Sequence, residues 1–368
     1  MSESDVRVVI AGGGTGGHLY PGIALAEEIS RRWPAQIMFI GTKYGIEGKV
    51  LREYPYIFKT TFITGLQRRL SLSNLLFPFR LLGSIIHCAI VLRKFRPRVV
   101  IGTGGYVSGP ALMSALLLRI PTVLQEQNSY PGLVNRVVGN KVSQVHLTYE
   151  NSRGYFAKNT NVWISGNPVR GNFGKVRKED AIRQLALQPD RKTLLVFGGS
   201  QGARAINGVV AESLAALLEN DILQMIWGTG ASDYEHAKKA AKPYPQKVKV
   251  MAFINDMAVA YAASDLALCR SGASTLSEIT LCGLPSILVP YPFAAEGHQL
   301  SNAQTIEANG AGIVIRESDL TGERLRTVIT ELLSDSQRME TMSKNARKLA
   351  KPEAAIKIVD RIEELVNE

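Results

Sequence analysis

Cysteine is scarce in this chain: Cys88, Cys269 and Cys282 are the only three in 368 residues. They form no C-x-x-C and do not pair off evenly. This argues against a disulfide framework and for a reducing, cytoplasmic compartment, where such residues act as small buried apolar groups. His and Cys nowhere cluster at metal-ligand spacing, and no Asp-x-Asp pair occurs, so no metal or other cofactor is expected. Long uninterrupted apolar runs are missing too. The longest uncharged run, Val99 to Leu118, is broken by Gly102, Gly104, Gly105, Gly109 and Pro110, whereas a spanning helix needs about 20 mostly apolar residues. The opening Met1-Ser2-Glu3-Ser4-Asp5 is short and acidic and does not read as a signal peptide.

Acidic residues are the most unevenly missing. None occurs between Tyr54 and Gln125. The net charge of +11 arises entirely in residues 1–165, with nineteen Lys/Arg against eight Asp/Glu; the remainder carries 24 of each. Within the acid-free stretch Arg68, Arg69 and Arg80 interleave with Leu75, Leu76, Phe77 and Phe79, followed by Arg93-Lys94-Phe95-Arg96. Apolar side chains among arginines suit an anionic bilayer surface, at about 1 kcal/mol per basic residue near it. Part of Ile85–Leu92 equally suits a helix packed on a sheet. Nucleic acid is disfavoured, because the patch has few polar base readers and no accompanying motif.

What the chain does have is glycine at informative places. Val6-Arg7-Val8-Val9-Ile10 is an apolar strand, and Ala11-Gly12-Gly13-Gly14-Thr15-Gly16-Gly17-His18-Leu19-Tyr20 leads to an amphipathic helix expected to begin at Pro21. A turn without side chains lets a ligand rest on backbone N–H groups at a helix start. Gly12, Gly14 and Gly17 match G-x-G-x-x-G, but the second strand ends in Gly41-Thr42-Lys43 with no carboxylate for a ribose, which argues against a dinucleotide. His18 has two readings: a residue that finishes the helix start, or a general base kept neutral by the positive helix end.

Strands and helices alternate throughout, the pattern of parallel sheets covered on both faces. Strands are expected at Val6–Ala11, Gln36–Gly41, Ile57–Ile63, Val99–Thr103, Thr122–Gln125, Gln144–Thr148 and Val162–Ser165. After the turn-rich Ser165-Gly166-Asn167-Pro168-Val169-Arg170 come Thr193–Phe197, Gln224–Trp227, Val248–Phe253, Leu266–Cys269, Ser286–Val289 and Gly312–Ile315. The expectation is an α/β protein of two doubly wound domains facing a cleft. The first spans 1–165, the second 166–351, and a C-terminal helix over 352–368 packs back on the first.

Three clusters in the second half could hold a ligand. Gly198-Gly199-Ser200-Gln201-Gly202-Ala203 is a helix-start turn, either for phosphate or purely structural. In Arg270-Ser271-Gly272-Ala273-Ser274-Thr275-Leu276-Ser277-Glu278, Glu278 could accept from ribose hydroxyls or close a capping box with Thr275. Gln299 and Asn302 could meet a polyhydroxylated ligand or be polar surface.

Taken in order, Gly13-Gly14-Thr15-Gly16-Gly17-His18, Gly104-Gly105-Tyr106-Val107-Ser108-Gly109-Pro110, Glu126-Gln127-Asn128, Gly166-Asn167-Pro168-Val169-Arg170, the Gly198–Ala203 turn, Cys269–Ala273 and Gln299 with Asn302 resemble the motifs of one family. It is the bacterial peptidoglycan glycosyltransferase family that converts lipid I to lipid II. The resemblance implies a GT-B fold and inverting transfer of N-acetylglucosamine from UDP-N-acetylglucosamine to the muramyl 4-hydroxyl of an undecaprenyl-diphosphate-linked acceptor.

The same resemblance implies roles. His18 is the general base. Thr15, Gly16 and Gly17 approach the diphosphate or sugar, Asn128 lies near the sugar, and Arg170 and Ile254 flank the uracil. Glu278 holds the ribose, Ser200 and Ala273–Ser277 (Ala273, Ser274, Thr275, Leu276, Ser277) the diphosphate, and Gln299 the sugar. Tyr106 and Glu126 line the acceptor side. One departure is Phe293-Ala294-Ala295-Glu296-Gly297-His298, where the family often has a bulkier polar stretch. Partners implied are the donor, lipid I, an anionic membrane surface and other cell-wall synthesis proteins, at the cytoplasmic face of the inner membrane. Competing readings are another GT-B lipid glycosyltransferase, a sugar-nucleotide 2-epimerase, and a non-catalytic nucleotide-sugar-binding module that has no need of His18.

Overall fold

The structure, a computed structural model, describes residues 6–43, 45–63, 77–199, 202–219, 221–294 and 297–367. The chain forms two units, Met1–Arg170 with Lys351–Glu368, and Gly171–Ala350.

In the first unit seven parallel strands lie in the order β3-β2-β1-β4-β5-β6-β7: β1 Val6–Gly12, β2 Ala35–Thr42, β3 Ile57–Thr61, β4 Val99–Gly104, β5 Thr122–Glu126, β6 Gln144–Leu147 and β7 Val162–Ile164. Every strand expected from the sequence is present. Runs of Val and Ile without alternation produce strands buried on both faces. Val8, Val9 and Ile10 of β1 are wholly buried, with Val8 beside Ile37 of β2 and Val99 of β4.

On one face α1 (Gly16–Arg32) packs Leu19, Ile23 and Ile29 against Val8, Ile10 and Phe39. On the other, α2 (Phe77–Phe95) supplies Cys88 and Leu92, and α3 (Ser108–Leu117) supplies Ala111, Leu112 and Ala115. The last of the helices labelled here, α7 (Ala354–Asn367), joins the first unit through Ile358, Val359 and Ile362. Burying each such side chain contributes roughly 1.5–3 kcal/mol. The Arg32–Asp360 ion pair at its rim is half open to water and contributes at most about 1 kcal/mol, so the apolar face is what docks this helix.

The boundary falls after Arg170 rather than after Ser165. Gly166 N donates to Leu147 O at 3.1 Å, and Gln125 Nε2 reaches Asn167 Oδ1 at 3.5 Å. A Cβ on Gly166 would lie 2.5 Å from Lys351 Cβ. These contacts hold residues 166 and 167 to the first sheet.

The second unit has six parallel strands in the order β10-β9-β8-β11-β12-β13: β8 Lys192–Phe197, β9 Leu223–Gly228, β10 Val248–Met251, β11 Leu266–Cys269, β12 Ser286–Leu288 and β13 Gly312–Val314. Its helices α4 (Arg204–Leu217), α5 (Ala273–Cys282) and α6 (His298–Ala308) follow β8, β11 and β12. The buried Trp227 packs in the same core as Val196 and Val210, and its indole N–H donates to Asn207 Oδ1 at 3.0 Å. In each sheet the strand order reverses at one place, between β1 and β4 and between β8 and β11. Open parallel sheets bind ligands at the carboxyl ends of the strands at such a switch point.

Candidate active site

The first switch point brings together the turns after β1 and β4. Helix α1 begins at Gly16, not at Pro21, so His18 sits in its first turn, and Leu19 N bonds Thr15 O at 3.2 Å. Pro21 is therefore internal and withdraws only the N–H that Gly17 O would otherwise accept. The His18 ring bonds Thr15 Oγ1 through Nδ1 at 3.1 Å, and its carbonyl accepts from Thr103 Oγ1 at 2.8 Å. A Cβ on Gly104 would lie 2.7 Å from His18 Cδ2, and one on Gly105 would lie 3.3 Å from Nδ1. These glycines, both at positive φ, clear the slot in which the imidazole lies.

The glycine run after β1 divides by task. A Cβ on Gly12 would strike Thr103, and one on Gly13 would strike the Glu47 carboxyl. Gly14, at φ 82°, faces open space with nothing within 4 Å of where its Cβ would be. Tyr106 follows the second turn and is partly exposed.

Glu126 does not line an open surface. It is 1% exposed, and its oxygens accept from Asn128 N, Asn128 Nδ2, Gly132 N and Asn135 Nδ2 at 2.7–3.1 Å. Burial raises its pKa, while these four donors pull the other way. Its carboxyl is thus the organiser of the loop that carries Asn128. Arg170 also differs from expectation: it closes the first unit, its guanidinium 4.4 Å from the Tyr20 ring centroid.

In the second unit, α5 starts at Ala273 with Gly272 as its N-cap and no side-chain cap. Thr275 therefore lies inside the helix, which overturns the capping-box reading of Glu278. Glu278 instead accepts from the buried Tyr261 hydroxyl at 2.9 Å. Leu276 points into the core, and Ser277 Oγ donates back to Ala273 O at 2.9 Å. Ala273 is buried as well, which leaves the backbone of the first turn with Ser274 and Thr275 at the helix start. Ile254 is buried against Gly228, where a Cβ would lie 2.8 Å from its Cδ1.

Gln299 Oε1 accepts from Tyr291 N at 3.0 Å. Asn302 is wholly buried and donates to Ser271 O at 3.4 Å; it ties α6 to the turn after β11 and is not placed to meet a sugar. Ser200 lies outside the described residues. Sequence reasoning missed Thr103, Glu47 and Tyr261. Glu47 has one signal, an isolated carboxylate in an acid-poor half soon after Gly41 and Gly45; Tyr261 has none.

Of the basic-apolar stretch, Arg68, Arg69, Leu75 and Leu76 lie outside the described residues. Helix α2 buries Ser84, Cys88 and Leu92 but exposes Phe79, Leu82, Ile86 and Ile90 along one stripe, with Phe79 73% and Ile90 63% exposed. Phe77 is half-buried and packs on the core, while Arg80, Arg93 and Lys94 are exposed. Among the described residues no helix is long and apolar enough to cross a membrane.

Residues 8–147 match the glycosyltransferase family 28 N-terminal domain, and residues 193–358 the family 28 C-terminal domain. Two curated relatives carry the name UDP-N-acetylglucosamine–N-acetylmuramyl-(pentapeptide) pyrophosphoryl-undecaprenol N-acetylglucosamine transferase. The protein from Flavobacterium psychrophilum is 41% identical, covering 98% of each chain, and that from Desulforamulus reducens is 37% identical, covering 98% of this chain and 99% of its own. A crystal structure of MurG from Acinetobacter baumannii superposes with a TM-score of 0.76 at 27% identity, covering 98% of this chain and 99% of that one. The two sheets are those of a GT-B fold, and this chain belongs to glycosyltransferase family 28.

Proposed function

We infer that this chain is an inverting N-acetylglucosaminyltransferase that uses UDP-N-acetylglucosamine and lipid I and releases lipid II and UDP. The observation that carries the reading is similarity over nearly the whole chain to relatives whose name states that transfer. The geometry supports it with chemistry suited to each substrate.

For the donor, the leaving group carries the negative charge of UDP. The first-turn N–H groups of α5 offer a positive helix end without a side-chain cap, and such interactions stabilise an anion by about 0.3–1 kcal/mol each, more when partly buried. Ser200 is a further proposed diphosphate contact. Glu278, held by Tyr261, accepts from the ribose hydroxyls, and Ile254 lies beside the uracil. Gln299 meets the sugar with the amide group that Tyr291 does not use. Helix-start N–H groups neutralise the departing diphosphate, so no metal ion is required.

For the acceptor, His18 is the general base. With Thr15 accepting from Nδ1–H, the Nε2 lone pair takes the proton of the muramyl 4-hydroxyl. The hydroxyl oxygen attacks the anomeric carbon from the face opposite UDP, the bond to the diphosphate breaks, and the configuration inverts. Thr15, Gly16, Gly17 and Asn128 surround the reacting sugars, and Tyr106 lies on the acceptor side. The exposed stripe of α2 with Arg80, Arg93 and Lys94 rests on the anionic inner leaflet, where the lipid acceptor is embedded. An epimerase of soluble substrates has no use for that stripe.

The test is transfer of labelled sugar from UDP-N-acetylglucosamine to a lipid I analogue in detergent with EDTA present. Label in a disaccharide lipid is expected. Saturable donor binding without transfer would overturn the acceptor assignment, and transfer abolished by EDTA would overturn metal independence.

A further inference from the structure

Just past β2, in the short helix Glu47–Val50, lies a buried carboxylate that no step above uses. Glu47 is 0% exposed, and its partners come from the turn after β1 and from the end of β2. Oε2 accepts from Gly14 N at 3.0 Å, and Oε1 accepts from Thr42 N at 2.6 Å and from Thr42 Oγ1 at 2.8 Å. Three glycines shape its cradle. A Cβ on Gly13 would lie 2.6 Å from its Cδ, one on Gly41 2.5 Å from its Cγ, and one on Gly45 2.1 Å from Oε2. Burying a carboxylate is costly unless its lone pairs are occupied, and here three donors occupy them.

We propose that Glu47 is the positioning residue of the acceptor half-site, setting the conformation of the loop that presents Thr15 and His18. The loop has glycines at 12, 13, 14, 16 and 17, so its own sequence leaves it many backbone conformations. Glu47 removes that freedom at the residue before Thr15 by pinning Gly14 N to the end of β2. Thr15 is the partner of the His18 ring, so the clamp reaches the base through one covalent neighbour and one hydrogen bond. The Gly14 N–H is also consumed by a carboxylate. The open side of Gly14 therefore offers room but no N–H, which suits an uncharged sugar hydroxyl better than a phosphate.

The inference rests on His18 acting as base in transfer to lipid I. Its test uses the full-length enzyme as wild type, Glu47→Gln, Glu47→Asp, His18→Ala and the Glu47→Gln/His18→Ala double variant. Glu47→Gln keeps the shape but gives up the charge and turns one acceptor into a donor. It is expected to lower kcat about ten- to hundred-fold with KM for UDP-N-acetylglucosamine within two-fold of wild type. Glu47→Asp, one methylene too short to reach Gly14, should not rescue it. The double variant should be no slower than His18→Ala, because both changes disable the same group.

Amide exchange supplies a readout independent of turnover: Gly14 N–H should be protected in wild type and exchange faster in both Glu47 variants. Folded Glu47→Gln with wild-type kcat, fully multiplicative losses in the double variant, or an unprotected Gly14 amide in wild type would each overturn the assignment. Absence of transfer by the wild type, with Gly14 protected, would instead count against the proposed reaction.

Discussion

The hydroxyl of Tyr261, 2% exposed, donates to Glu278 Oε2 at 2.9 Å and so fixes the carboxylate on α5. Tyr261 keeps its proton, because burial and the Glu278 charge both push its pKa well above the usual tyrosine value. It is a permanent donor. Phe173 and Phe197 pack on its ring, with centroids at 5.8 Å, so the ring has little freedom to leave.

Tyr261→Phe should therefore weaken donor binding without disturbing chemistry. Loss of one hydrogen bond to a charged group, about 1.5–3 kcal/mol, corresponds to a rise in Kd for UDP of roughly ten- to hundred-fold. Calorimetric titration with UDP checks it; an unchanged Kd would remove Glu278 from the ribose site.

His18→Ala should lower kcat about 100-fold or more while UDP affinity stays as in wild type, since the UDP contacts proposed above lie on the other unit. Single-turnover transfer and UDP titration on the same preparation read both. A variant with intact turnover would leave His18 as a helix-start residue only and favour a different base.

The stripe on α2 should govern membrane affinity. Replacing Phe79, Leu82 and Ile86 by Ser removes apolar surface that is already exposed, so folding stability should change little while binding to anionic vesicles falls by ten-fold or more. Reversing Arg68, Arg69 and Arg80 should abolish the salt-sensitive part of the same binding. Undiminished sedimentation with vesicles in both variants would refute the docking surface.

Stability should depend on pH through His146. Its ring is buried between Ser165 Oγ at 2.8 Å and Gln144 Oε1 at 3.3 Å. Burial first, and the Arg361 charge second, depress its pKa to about 3. The unfolded chain takes up this proton near pH 6.5 and the folded chain only near 3, so stability is full above about pH 6.5 and declines as pH falls through that window, by roughly 1.4 kcal/mol per unit. Thermal unfolding from pH 7.5 to 4.5 tests this, and His146→Gln should flatten the slope. An equal slope in the variant would place the acid sensitivity elsewhere.

Much of the architecture is legible in the chain itself. Short apolar runs bounded by turn residues fit strands of a covered parallel sheet, and the thirteen strands among the described residues lie where such runs are. Residue order also put the glycine turn after β1, with His18 in it, between a strand and a helix, as the structure has it. Helix starts were less legible. Gly16 and Gly17 are poor helix formers, yet they enter α1 because Leu19 must reach the core and Thr15 O is there to receive its N–H.

What only the tertiary structure decided is which polar side chain faces a ligand and which faces the protein. Glu126, Asn302 and Glu47 look like site residues or like nothing in sequence. Each is buried and bonded to backbone groups: Glu126 to the loop that follows it, Asn302 to the turn after β11, and Glu47 to the turn after β1 and the end of β2. Periodicity along the chain fixes which residues turn inward within an element. Glu126 ends a strand and Glu47 opens a short helix, where no such period applies; Glu126 takes its donors from the loop that follows it, and Glu47 takes its own from the turn after β1 and the end of β2, which the sheet makes neighbours.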